Sequence, residues 1–79
     1  MSKFNKIVDD VQTEYIKAVG KHGSFHSAHE GFAVLDEERD ELWDEVKKRN
    51  KSKTDMRKEA VQVAAMAVRF IHDVCDKED

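Results

Sequence analysis

A chain of 79 residues with net charge −3, one cysteine and no proline is one domain at most, near the lower size at which a single core stabilises a fold. The acidic balance gives no field for a phosphate backbone, which argues against nucleic acid as a partner. A lone Cys75 rules out a disulfide framework within the chain.

Charged and apolar residues each make up 39% of the chain, a balance that suits long amphipathic helices and predicts an all-α fold. The opening MSKFNKIVDD is interrupted by charge too early for a secretory signal. The longest apolar run, Val63 to Val68, is far short of a membrane span. The expectation is a soluble, cytoplasmic protein with no membrane partner.

The first element is predicted over about 3–20. Phe4, Ile7, Val8, Val11, Tyr15, Ala18 and Val19 recur at three- and four-residue steps, which draws one apolar stripe down a helix. GKHGSFHS then forms a joint, and Ser27 followed by Glu30 fits a capping box that opens a second helix.

This second helix is predicted over 27–50. Its segment LDEERDELWDEV holds seven acidic residues in twelve positions. At about 100° per residue, Glu30, Glu37, Glu38, Glu41, Asp44 and Glu45 share one broad arc, with Leu35, Leu42, Trp43 and Val46 opposite. Pairs such as Glu45 with Arg49, or Asp44 with Lys48, fit a solvated face. Val34, in the middle of the acidic arc, does not. Phe32 and Trp43, on the apolar side, are expected in the core.

After the basic joint KKRNKSK, Ser52 or Thr54 is expected to cap a third helix over about 55–75. Its run AVQVAAMAVRFI is apolar enough to need cover on more than one side, and a second copy of the chain is the economical cover. A narrow stripe of Glu59, Gln62, Arg69 and Asp73, with Met66 among them, crosses this apolar segment. If buried, these polar groups need partners from the second helix, another subunit or a ligand.

Glu37-Glu38-Arg39-Asp40-Glu41-Leu42 followed about twenty residues on by Glu59-Ala60-Val61-Gln62 resembles the all-α nucleoside triphosphate pyrophosphohydrolases, the MazG-like and dimeric dUTPase-like group. That family carries E-E-x-x-E-L on one helix and E-x-x-D on the next. The likeness runs from His29 to Phe70, and short stand-alone MazG-like proteins of bacteria and their viruses look similar.

The resemblance implies a helical bundle of two or four subunits, a nucleotide ligand and Mg2+ held by Glu38, Glu41 and Glu59. It also implies release of pyrophosphate from a nucleoside triphosphate to leave the monophosphate. Magnesium is a hard ion that takes carboxylate and phosphate oxygens, so the residue types fit.

The fourth metal position is Gln62, a neutral amide where the family has aspartate, and its loss of charge should weaken metal binding. Glu37 and Glu30 are candidate supporting ligands, His29 a residue of the pocket entrance, and Arg69 a phosphate contact through its paired donors. Phe25, Phe32 or Trp43 would stack on a base.

Two further readings share the predicted fold. One is a catalytically silent nucleotide binder, acting as a sensor or as a sponge for a signalling nucleotide, for instance in viral counter-defence. The other is a helical interaction module without a ligand. Zinc is not expected, because His26 and His29 lack the order and the further ligands of zinc motifs. His22 and His72 read as surface residues. Cys75, with no adjacent base, reads as a small apolar filler.

Overall fold

The computed structural model describes residues 2–77. It is all-helical, with α1 over Lys3–His22, α2 over Ala28–Val46, α3 over Lys53–Phe70 and a terminal π-helical segment over Ile71–Cys75.

Each α-helix opens on a serine. Ser2, Ser27 and Ser52 accept from the backbone N–H groups of Asn5, Glu30 and Asp55, satisfying donors that the first turn leaves free. Glu30 completes the device at α2 in a displaced form: its carboxylate accepts from the N–H of His26 at 3.1 Å, one residue before the cap.

The helix ends differ from the sequence expectations. Gly20 stays helical and α1 continues to His22, because the left-handed backbone is at Gly23, with φ 71°. α2 stops at Val46 rather than near Asn50, where apolar residues cease and nothing holds further turns against a neighbour. Asp44 and Glu45 consequently pair with Lys47 and Lys48 at three-residue spacing. α3 begins two residues early because Ser52, not Thr54, is its cap.

Side-chain pairs fix the directions. Asp10 meets Arg57, Glu14 meets Gln62, and the Gly23 carbonyl meets Arg69, so α1 and α3 run parallel. Gly31 approaches Phe70 and Glu41 lies near Glu59, so α2 runs antiparallel to both. α3 packs against α1 on one side and α2 on the other. An open cleft lies between the two flanking helices, with α3 as its floor.

The core is small: Phe25, Val61, Ala65 and Met66 are buried. Gly31 permits the close contact that builds it, since a Cβ there would stand 2.8 Å from Phe70 Cδ2 and 3.0 Å from Phe25 Cδ2. Phe32 and Trp43 are not core residues of the single chain; they are 62% and 53% exposed. Both lie on the side of α2 that α3 does not reach. Cys75 is likewise exposed rather than a filler.

Several buried groups of the polar stripe on α3 find partners within the chain. Asp73, buried in the π-helical segment, accepts from the Phe25 N–H at 3.0 Å and lies 2.8 Å from His72 Nδ1. Burial alone would raise the Asp73 carboxyl. The His72 ring, the Phe25 N–H and the charge on Arg69 outweigh it and hold the group below the usual range.

Candidate metal centre and ligand cleft

Glu38 and Glu41 stand three residues apart on α2, on the face turned toward α3, where they meet Glu59. One carboxylate oxygen from each lies within 4.8 Å of the others. No lysine or arginine is paired with any of them among the described ion pairs, although the surrounding acids Asp36, Asp44 and Glu45 all have basic partners.

The electrostatic cost shows in the titration. Partial burial, then the Glu41 carboxylate and the charges of Glu59 and Glu37, push the Glu38 carboxyl up to about 7. Burial and Glu41 also raise Glu59. Like charges gathered without a cation favour proton uptake.

These residues fit a divalent cation. Two oxygens on opposite sides of one magnesium lie about 4.2 Å apart, so small side-chain rotations would bring all three carboxylates onto one ion. Gln62 is not among them: its amide donates to Glu14 Oε2 at 2.8 Å. The amide is thus turned toward α1, and the cluster consists of Glu38, Glu41 and Glu59.

Beside this cluster the cleft encloses about 950 Å³. Its α2 wall carries Glu30, Val34, Glu37 and Glu38, its floor Gln62, Met66 and Arg69, and its α1 wall Glu14, Lys17 and Lys21. Val34, out of place on a solvated arc, is explained by this position.

Among the residues singled out from sequence, Glu30, Glu37, Glu38, Gln62 and Arg69 line the cleft. Glu41 and Glu59 join through the carboxylate cluster. His29 is exposed and is not a lining residue. Phe25 is buried, with its ring face 4.1 Å from the Arg69 guanidinium carbon, and that face is not free to stack on a base.

Sequence reasoning missed Glu14, Lys17 and Lys21. Their spacing of three and four residues marks a polar stripe on α1, but nothing local shows that this stripe faces the acids of α2.

No protein-family model, curated protein or solved structure matches this chain.

Proposed function

We propose that this protein binds a nucleoside polyphosphate through Mg2+ held by Glu38, Glu41 and Glu59, and that it cleaves the ligand to a nucleoside monophosphate and pyrophosphate. The observation that carries the reading is the convergence of three carboxylates without a basic partner at the edge of a cleft large enough for a nucleotide. The resemblance of the two short acidic motifs to MazG-like pyrophosphohydrolases supports the same reading.

A bound magnesium ion would neutralise phosphate charge and activate a water. The chain's own contributions are distinct. Glu38, Glu41 and Glu59 supply hard oxygen ligands from two helices, so that helix packing sets their separation. Without metal, partial burial and the neighbouring acids raise the Glu38 carboxyl, a repulsion that a bound cation would relieve, and Glu37 adds negative charge along the same wall. Lys17 and Lys21 give the opposite wall a positive character suited to phosphate.

A second reading is favoured by one contact. Residue 62 is an amide turned to Glu14, so the cluster has three carboxylates rather than four, which suits a protein that retains a nucleotide without consuming it. Such a binder would serve as a sensor or sponge.

The site is proposed to work within a homodimer or homotetramer. The chain exposes 6089 Å², roughly 1200 Å² more than the scaling relation for a folded 9.1 kDa monomer gives. The surplus is comparable to what one partner buries in a subunit interface.

Chromatography of a nucleotide panel, linear and cyclic, incubated with excess protein and magnesium and sampled before and after heat denaturation, separates the readings. Conversion of a triphosphate to its monophosphate is the expected result. A nucleotide that leaves the free pool and returns intact on denaturation establishes the binder. A panel untouched in both samples overturns nucleotide binding and favours an interaction module.

A further inference from the structure

The inner end of the cleft is built around a buried cation. Arg69 is only 3% exposed, yet its hydrogen bonds go to the Gly23 carbonyl at 2.7 Å and to the Met66 sulfur at 3.4 Å, not to a carboxylate. Its Nε is buried without a hydrogen-bond partner. The Phe25 ring covers one face of the guanidinium. Asp73 lies one turn further on, but its two oxygens are engaged by the Phe25 N–H and the His72 ring.

A guanidinium removed from water with no direct hydrogen bond to a carboxylate is costly; its charge is felt by Asp73, but that carboxylate is engaged elsewhere, and basic groups stand close by. Lys21, His22 and Ser24 line the same end, with Lys17 one turn back along α1. Lys21 and His22 are in no described ion pair, while Lys17 reaches only Glu14 at 3.7 Å. Glu30 is the acid facing them, and its carboxylate accepts from the His26 N–H and lies near the His26 ring.

Ten residues of α3 separate Glu59 from Arg69, which at 1.5 Å per residue is about 15 Å. The basic end is therefore too far from the carboxylate cluster to bind the same phosphate group.

We infer that the Arg69 end of the cleft is a second anion subsite, which takes a phosphate group at the far end of a ligand whose other phosphates lie at Glu38, Glu41 and Glu59. The cleft thus selects a nucleotide that is anionic at two separated points over one with a neutral sugar or base at that end. Arg69 and the Ser24 segment form the seat, and Lys21 and Lys17 draw the group in. The inference deepens the nucleotide reading and rests on it for the identity of the ligand.

The test uses inorganic phosphate alone, titrated into the full chain with metal removed by chelation. Proton–nitrogen NMR follows the Arg69 Nε–H and the backbone N–H groups of Ser24 and Phe25. Saturable shifts at these groups are expected. Replacing both lysines, Lys17→Ala with Lys21→Ala, should weaken the response about fivefold, the scale of two exposed charge contacts; both positions lie at the surface, so the fold is retained. Replacement by arginine should restore it.

Absence of saturable shifts, or shifts of equal affinity in the double variant, overturns the subsite. A separate titration with magnesium alone, read at the carboxyl carbons of Glu38, Glu41 and Glu59, reports on the metal reading independently. Failure there removes the metal site without altering the phosphate result.

Discussion

A methyl group on Gly31 would sit 2.8 Å from Phe70 and 3.0 Å from Phe25, on side chains that already close the small core. Gly31→Ala is therefore expected to destabilise the fold by about 1–3 kcal/mol, the usual cost of overpacking, and urea unfolding would measure it. The gain in helix propensity from alanine, about 1 kcal/mol, opposes this loss; an unchanged midpoint would mean that Phe70 moves aside freely. At Glu38 the sign follows from the raised carboxyl. The folded state holds a proton that the unfolded chain releases near 4.5, so without metal stability falls as pH rises from about 4.5 through about 7. Thermal unfolding at pH 5.5 and pH 8 should show this decline, a smaller decline in Glu38→Gln, and recovery at pH 8 on adding magnesium only in the parent chain. Asp73 has the opposite sign: its lowered carboxyl stabilises the fold above the ordinary aspartate range, and that support is lost as pH falls below it. The two effects occupy different pH ranges, and the decline toward pH 8 belongs to the acid cluster.

The helices carry information of unequal depth. Serine caps, three- and four-residue apolar steps and the acidic arc are local patterns, so the existence and order of α1, α2 and α3 were legible from sequence. Their ends were less so: α1 passes Gly20 and stops at the second glycine, Gly23, while α2 ends at Val46 through packing. Ser52→Ala tests the cap that starts α3. A loss of about 1 kcal/mol is expected, and fraying of the first turn should reduce amide protection at Asp55 and Met56 in hydrogen exchange. Because Glu59 lies within two turns of this cap, magnesium should partly restore that protection if the carboxylate cluster binds it. The π-helical segment had no recognisable sequence signal. Its wider turn is closed by the Asp76 N–H on the Ile71 carbonyl at 2.8 Å, and within it Asp73 accepts from the Phe25 N–H in the joint that leads into α2.

For the whole molecule, the radius of gyration of 13.5 Å exceeds the roughly 11.6 Å expected of a compact chain this long. The register that sets Asp10 beside Arg57 carries the first turns of α1 past the start of α3. There Phe4, Ile7 and Val8 remain exposed, with Phe4 at 70%. Phe32 and Trp43 on α2 are likewise uncovered, so large apolar side chains are exposed on two helices. Sedimentation equilibrium at micromolar concentration is expected to give a dimer or tetramer. Phe4→Ser with Ile7→Ser should lower the association constant at least tenfold, the scale of losing two buried apolar side chains. A concentration-independent monomer would show that this surface is stable without a second copy.

Sequence alone determined what depends on near neighbours: helices from periodicity, caps from serine at fixed offsets, and one acidic face from residues a turn apart. It also selected Glu38, Glu41 and Glu59 as a set, through motif resemblance and spacing rather than through any visible contact. Tertiary structure decided which faces met. It joined those three carboxylates across α2 and α3, turned Gln62 toward Glu14, buried Arg69 and opened Phe32 and Trp43 to solvent. These outcomes depend on the direction and register of packed helices, which follow from close contacts such as Gly31 with Phe70, and residues so far apart in the chain carry no local signal of such contact.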